Sequence, residues 1–232
     1  MDGRLIDRWN FDSDIKDSMR RHNLLEASDC LAVGNGFAPS RTVSTPLVDG
    51  ASFLSFSGTS SGSLRSNGGY LQLGALDFGD HFTISMWVNP RPLAGAYTEA
   101  RQVLFSNQDP AVEPVNGVSV GSGFTIAMNT WNSGNGASPY FGDRKIIIET
   151  ANGSVASAPV VSDASFDGNA WQLLTVCFDR ASATVSLTLN DYPAGHGAIR
   201  SDFATSGQMV RVGGLPAGDG TRDGYFLSLI HI

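Results

Sequence analysis

Short runs that alternate apolar and polar residues, separated by clusters of Gly, Asn, Asp and Ser, recur along the whole chain. Such runs are typical of β-strands, and roughly a dozen of them at short intervals indicate an antiparallel sandwich or barrel. The predicted strands are 4–11, 42–48, 52–57, 69–74, 82–89, 102–107, 118–129, 145–151, 170–179, 184–190 and 208–213, with a last one at 224–230. The sequence therefore predicts an all-β fold, an antiparallel β-sandwich with very little helix.

The alternation also predicts which side chains face the core. In the run 82–88, one face carries Phe82, Ile84, Met86 and Val88, and the other carries Thr83, Ser85 and Trp87. The run 171–178 is apolar on both sides, which predicts a central strand covered on both faces. A turn or two of helix is expected only at 14–26, where Ser13 or Asp14 would cap it. Three longer stretches are predicted loops, at 57–68, 108–117 and 130–144.

Length and charge exclude several classes of protein. A chain of 232 residues is predicted to form one domain with its own core. Its net charge of −7 argues against nucleic acid or an anionic membrane as the main partner. No window approaches the ~18 apolar residues of a membrane span, and no signal peptide is visible at Met1.

The two cysteines, Cys30 and Cys177, leave two alternatives open. They are either ordinary thiols or the partners of a single disulfide bridge. The chain has no CxxC motif and no Cys/His cluster at the spacing of a zinc site.

Several segments, in order, resemble a known superfamily. The chain carries RWNFD at 8–12, GDHFTISMWVNP at 79–90, GFTIAMN at 123–129 and AWQLLTVCFDRASATVSLTLND at 170–191. Together they resemble the laminin G-like, concanavalin A-like lectin/glucanase jelly-roll superfamily in its bacterial or phage form. The resemblance implies a jelly-roll sandwich over nearly the whole chain. It is a poor guide to activity, because the superfamily holds lectins, adhesion modules, calcium-binding accessory domains and glucanases.

A glucanase of this superfamily would need two carboxylates on one face of a strand, as in an E-x-D-x-E pattern. The chain has four Glu, at Glu26, Glu99, Glu113 and Glu149, and none lies within five residues of another. Glu149 has no Asp at the required spacing. We therefore expect no enzymatic activity and no catalytic residues.

An Asp cluster follows the first predicted strand. Asp12, Asp14 and Asp17 lie within six residues of one another. The resemblance implies a structural Ca²⁺ here, because an Asp-rich turn after the W-x-F-D strand often holds that ion in the family, and carboxylate oxygens suit it. The usual D-x-S-G-N continuation is replaced by DSMRRHN. The alternative is that Asp14 caps a helical turn and the other two are solvated.

Aromatic side chains provide the candidate ligand site. Trp131, Tyr140 and Phe141 fall in the predicted loop 130–144, which should lie at the rim of the sandwich. Exposed rings beside polar groups suit the stacking of sugar rings, whereas in the alternative interpretation these rings cover the open end of the core. Trp9, Trp87 and Trp171 lie on predicted strands and are expected in the core.

These observations predict a non-catalytic recognition module that binds a glycan or a protein surface, with no nucleic acid and no membrane insertion. The module would be an appendage of a larger extracellular, cell-surface or virion protein, a phage structural protein included, and would contact its other domains. The alternatives are a purely structural fibre or decoration domain, and an enzyme with an atypical site.

The last six residues carry a separate expectation. LSLIHI, at 227–232, is one translation of a transposase end sequence that is used to prepare sequencing libraries. We therefore expect a single domain at 1–226 that lacks part of its last strand, and a non-native tail at 227–232. An ordinary apolar C-terminal strand is the alternative.

Overall fold

The computed structural model describes residues 40–43, 52–55, 58–61, 65–68, 71–89, 101–108, 121–129, 144–167 and 170–213. Within these ranges the chain forms strands and no helix. The strands are β1 (Ser40–Val43), β2 (Ser52–Ser55), β3 (Gly58–Ser61), β4 (Arg65–Gly68), β5 (Leu71–Ala75), β6 (His81–Val88), β7 (Arg101–Ser106), β8 (Gly123–Asn129), β9 (Lys145–Ala151), β10 (Val160–Ser165), β11 (Gln172–Asp179), β12 (Thr184–Leu189), β13 (Tyr192–Ala198) and β14 (Met209–Val212). The predicted strands 4–11 and 224–230 and the predicted helix 14–26 lie outside the described residues.

Two antiparallel sheets make up the body of the fold. The larger has six strands in the order β10-β9-β8-β7-β14-β5, and the smaller has four in the order β13-β12-β11-β6. The pairs β1–β2 and β3–β4 are also antiparallel. β14 follows β13 in sequence but pairs between β7 and β5 in the other sheet. The predicted all-β antiparallel sandwich is thus confirmed.

Alternate residues of both sheets build the core. β6 and β12 bury every second residue, as the sequence pattern predicts. Phenylalanine rings dominate one part of the core: Phe82 and Phe178 are cross-strand partners with stacked rings 4.6 Å apart, and Phe124 lies 4.8 Å from Phe178. Such ring pairs each stabilise the fold by about 0.5–1.5 kcal/mol beyond the area they bury.

Three predictions about strands were wrong. The predicted loop 57–68 contains the hairpin β3–β4, and β10 and β13 were not predicted at all. β11 is not covered on both faces: Leu174, Val176 and Phe178 are buried, while Cys177 is exposed with a free thiol. Strands buried on both faces occur instead in the six-stranded sheet, for example β9, in which every residue after Lys145 is buried.

The two sheets close against each other along β10 and β13, and two glycines permit this contact. Gly197 of β13 packs against Val160 of β10 so closely that an added Cβ would lie 2.7 Å from Val160 Cγ2. Gly195 faces Ser162, whose Cα would lie 3.2 Å from an added Cβ. We call this contact the β10–β13 seam.

In the described part of the chain, no long apolar helix that could span a membrane is present.

Candidate functional site

The sandwich has two ends that differ in what covers them. One end is occupied by residues 199–208, which connect β13 to β14 and are called the crossover segment here. Its backbone makes hydrogen bonds with residues of both sheets, as donor in one case and as acceptor in the other. Arg200 N donates to Thr150 Oγ1 at 2.9 Å, and Ser201 O accepts from Arg180 Nε at 3.1 Å. Phe203, in the middle of the segment, is buried in the core.

Two arginine–aspartate ion pairs also hold the crossover segment in place. The Arg180 guanidinium donates to Asp80 Oδ1 at 2.7 Å and lies 5.1 Å above the Phe203 ring. Arg200 holds Asp202 through two hydrogen bonds, Nε to Oδ1 and Nη2 to Oδ2, both 2.7 Å. Asn152 Nδ2 also donates to Asp202 Oδ2, at 2.8 Å. This end is therefore built for rigidity.

The same contacts set the ionisation of two carboxyl groups. Hydrogen bonds from Arg200, and then from Asn152, lower the pKa of Asp202 from 3.8 to about 2. The backbone N–H of Ser182 is the main cause that lowers the pKa of Asp179, and the nearby His81 contributes less. His81 Nδ1 lies 3.2 Å from Asp179 Oδ1, and both side chains are well exposed.

The opposite end carries tryptophan residues and is called the Trp end here. Phe166 N donates to Arg144 O at 3.0 Å, which brings the start of β9 beside the β10–β11 connection. Gln172, the first residue of β11, makes two hydrogen bonds to the backbone of Asp167, one donated by its side chain and one accepted. Trp171 and Arg144 thus lie at the same end, and Arg144 is the last residue of the predicted loop 130–144.

Trp87, Trp171 and Leu173 form a patch on the outer face of the four-stranded sheet, called the Trp patch here. Trp87 is the cross-strand partner of Leu173, and the alternation of β11, continued by one pair, places Trp171 on the same face. Both tryptophans are half-buried and neither belongs to the core cluster. The prediction that they are core residues was therefore wrong; Trp9 lies outside the described residues.

The rest of this outer face is polar and exposed. The next pair along the sheet is Ser85 and Thr175, whose hydroxyl oxygens are 3.0 Å apart. After it comes Thr83 opposite Cys177, with Thr83 Oγ1 donating to the thiol sulfur at 3.4 Å. The pair of His81 and Asp179 lies at the crossover end, away from the Trp patch.

The outer face of the six-stranded sheet is different, because its central strands β7, β8 and β9 are buried there. Its centre holds four buried polar side chains, Ser106, Gln108, Thr125 and Glu149, called the buried polar cluster here. Thr125 Oγ1 lies 2.9 Å from Ser106 Oγ and donates to Gln108 Oε1 at 2.9 Å. Glu149 is the cross-strand partner of Thr125 and is only 2% exposed. Sequence reasoning examined Glu149 as an acid but did not predict its burial.

The surroundings of Glu149 do not fit the glycosidase pattern. Its cross-strand partner is Thr125, and its neighbours on the same face of β9 are Ile147 and Ala151, so no carboxylate adjoins it on these strands. Glycoside hydrolysis ordinarily uses two carboxyl groups about 5–9.5 Å apart. Among the residues that the structure covers, no group of three or more His, Cys, Asp or Glu side chains could hold a metal ion.

The site residues predicted from the sequence lie outside the described residues. This applies to the aromatic loop residues Trp131, Tyr140 and Phe141, and to the calcium candidates Asp12, Asp14 and Asp17. The described residues that flank the aromatic loop are Asn129 and Arg144, and the β8–β9 register ends beside both, with Asn129 paired to Lys145. The loop thus starts and finishes at the Trp end.

The signal that could have identified the Trp patch is present in the sequence. The alternation of 82–88 puts Trp87 on the face of Thr83 and Ser85, and that face is polar. A large indole on a polar strand face is informative because exposed apolar groups on such faces often mark interaction sites.

A profile of the concanavalin A-like lectin/glucanases superfamily matches residues 65–231. No curated protein sequence matches the chain. Among solved structures, domain 4 of AbnA, a GH43 extracellular arabinanase from Geobacillus stearothermophilus in complex with arabinotriose, aligns with a TM-score of 0.57 and 12% identity, covering 98% of this chain and 91% of that one.

Two toxin domains align similarly. The binding domain of Paraclostridial Mosquitocidal Protein 1 gives a TM-score of 0.59 at 14% identity, over 98% of this chain and 48% of that one. The binding domain of Botulinum Neurotoxin DC in complex with SialylT gives 0.56 at 10% identity, over 99% of this chain and 46% of that one. At these identities the likeness concerns the fold alone.

Proposed function

Because the chain belongs to the concanavalin A-like lectin/glucanase superfamily, we propose that it is a non-catalytic recognition module that binds a carbohydrate or a protein surface. The observation that carries this proposal is the Trp end of the sandwich, which carries Trp87 and Trp171 and also both described residues that flank the loop with Trp131, Tyr140 and Phe141. Aromatic rings beside polar side chains suit amphipathic ligands, and a sugar ring is one.

The ligands and roles of the similar structures support binding over catalysis. Domain 4 of AbnA was solved with arabinotriose, and both toxin regions are binding domains. Glu149, buried and without a carboxylate beside it on its own and the neighbouring strand, also argues against glycoside hydrolysis. We place the module in a larger extracellular or virion protein, of which it would be an appendage.

The aromatic loop is tested by substitution. Trp131→Ala and Tyr140→Ala should each weaken ligand binding by about 1–3 kcal/mol, because rings that stack on a ligand act as hot spots. A glycan array with the full chain identifies the ligand, and calorimetric titration measures each variant. Ser186→Ala, an exposed residue of β12, serves as the control. Normal binding by both loop variants would contradict the assignment of the loop.

A structural Ca²⁺ near Asp12, Asp14 and Asp17 is a second part of the proposal. Carboxylate oxygens are the ligands that Ca²⁺ prefers, and the ion would tie the first predicted strand to the end of the chain. Calcium at about 100 times its Kd would add about 2.7 kcal/mol to the free energy of unfolding. The Tm is measured in excess calcium and in chelator, and an equal Tm in both would exclude the site.

A further inference from the structure

Two tryptophan residues lie on one face of the four-stranded sheet together with Leu173, and the adjoining rows of β6 and β11 are polar. Trp87 is the cross-strand partner of Leu173, and Trp171 lies diagonally from Trp87 on the same face. Diagonal partners in antiparallel strands have Cβ atoms roughly 7–8 Å apart, so one oligosaccharide can contact both rings. The half-burial of both rings holds them in place and leaves part of each to solvent.

Hydrogen-bonding groups border these rings. The backbone of Leu173 pairs with Asn190, which donates its N–H to Leu173 O at 2.8 Å and accepts from Leu173 N through its side-chain oxygen at 2.9 Å. The exposed side-chain amide of Asn190 is thereby fixed next to the Trp patch. Ser85 and Thr175 add hydroxyl groups on the adjoining row. A ring surface bordered by amides and hydroxyls matches a ligand with an apolar face and hydroxyl groups at its edge.

Asn89 provides an independent observation. Its Oδ1 atom is buried and accepts no hydrogen bond from the residues that the structure describes. Continued by one pair, the β6–β11 register puts Asn89 opposite Trp171. A buried acceptor without a donor costs about 1–3 kcal/mol, and rotation of a terminal amide is easy, so a ligand hydroxyl beside Trp171 would remove this cost.

Charge narrows the class of ligand. In the described part of this face, the rows through Trp87, Ser85 and Thr83 carry no Asp, Glu, Lys or Arg side chain. The row through Thr83 ends at His196, and the pair of His81 and Asp179 is at the other end. The chain as a whole carries a net charge of −7, which repels anionic glycans. An uncharged saccharide therefore fits this surface better than a sialylated or sulfated one.

From these observations we propose that Trp87 and Trp171, with Asn89 and Asn190 beside them, form a stacking platform for an uncharged saccharide on the outer face of the four-stranded sheet. The inference rests on the proposed function and names its ligand class. The platform on the sheet is a second binding surface, in addition to the loop that contains Trp131.

The full chain is titrated with uncharged oligosaccharides, namely arabinotriose, xylotetraose, cellotetraose, maltotetraose and mannotriose, and with sialyllactose as the anionic counterpart. Calorimetry and tryptophan fluorescence report binding. At least one uncharged sugar should bind, and Trp87→Thr and Trp171→Ala should each weaken it about tenfold or more. Trp87→Thr keeps a residue that favours strands, so it guards against loss of fold.

Ser186→Ala, on the same face but away from the patch, should leave binding unchanged, and circular dichroism checks the fold of every variant. Unaltered affinity in both tryptophan variants, together with loss in Trp131→Ala, would overturn the platform and leave the recognition module intact. Binding of sialyllactose alone would overturn the uncharged class. The absence of binding to every sugar at millimolar concentration would overturn the platform. The recognition module would then be tested by measuring binding to protein partners.

Discussion

Asp202 links the crossover segment to the turn after β9, and its ionisation should therefore affect stability. Arg200 and Asn152 lower its folded-state pKa to about 2 from 3.8. The ionised form is favoured by folding, so its stabilising contribution is complete above pH 3.8 and is lost as the pH falls through about 2. The Tm of the wild type should fall across this window, and Asp202→Asn should flatten that part of the curve.

Thermal unfolding from pH 5 down to about pH 1.5 measures this difference. Asp191→Asn, in the exposed β12–β13 turn, is the matched control and should keep the slope of the wild type. Parallel curves for the wild type and Asp202→Asn would show that the Arg200–Asp202 pair contributes nothing.

Side-chain direction was predictable for single residues of β6 and β12, whereas their burial was only partly so. The alternation correctly buried Ile84 and Met86 and put Trp87 on the polar face. Taking Trp87 for a core residue was wrong because hydrophobicity was allowed to override that alternation. The burial of Glu149 could not be predicted from the sequence. It depends on what the fold places over the outer face of the six-stranded sheet, and the residue pattern of β9 does not contain that information.

At the level of secondary-structure elements, the β10–β13 seam depends on the absence of a side chain at Gly197. The Gly197→Ala methyl group would meet both Cγ atoms of Val160, at 2.7 and 3.0 Å, and a valine side chain has little freedom to move away. We expect a loss of about 1–3 kcal/mol in the free energy of unfolding, as for other overpacked contacts. Chemical denaturation measures it.

His196→Ala is the control, because His196 lies on the same strand but is exposed. The double variant Gly197→Ala/Val160→Ala should recover part of the loss, since the smaller residue makes room for the methyl group. If Gly197→Ala had the same free energy of unfolding as the wild type, the contact between Gly197 and Val160 at the β10–β13 seam would be looser than 2.7 Å implies.

The seam also explains why β13 was not predicted from the sequence. β13 has the sequence YPAGHGA, in which Pro and Gly argue against a strand. Pro193 is tolerated because β13 is the last strand in the order of its sheet, and Gly195 and Gly197 are required by Ser162 and Val160 on another strand. Such reasons are tertiary, so a single-sequence pattern cannot contain them. Strands whose pattern comes from their own burial, such as β6 and β12, were predictable.

For the molecule as a whole, the pairing of distant strands predicts slow folding. β5 pairs with β14, Gly74 opposite Val210, and β6 pairs with β11, whereas the pairs β11–β12 and β12–β13 join sequence neighbours. Sandwiches of this kind fold in roughly milliseconds to seconds. We expect the β11–β13 meander to form first and the β5–β14 pair to form late, because closing the longer loop costs more entropy.

Two matched truncations test this order by stopped-flow kinetics. Leu187→Ala in β12 and Leu73→Ala in β5 both remove a buried leucine and should each cost about 2–5 kcal/mol. Leu187→Ala should mainly slow folding, and Leu73→Ala should mainly speed unfolding. Equal slowing of folding by both variants would contradict the order.

The buried polar cluster has a consequence for how the six-stranded sheet avoids mispairing. If β8 slipped by one residue against β7 and β9, Thr125 would turn toward the phenylalanine core, and Phe124 would take its place beside Glu149. The displaced Thr125 hydroxyl would lose Ser106 and Gln108 as hydrogen-bond partners and enter an apolar surrounding, at a cost of about 1–3 kcal/mol or more. An entirely apolar outer face would tolerate that slip far better. Ser106, Thr125 and Glu149 therefore favour the register of β7, β8 and β9 that keeps all three side chains on the buried outer face.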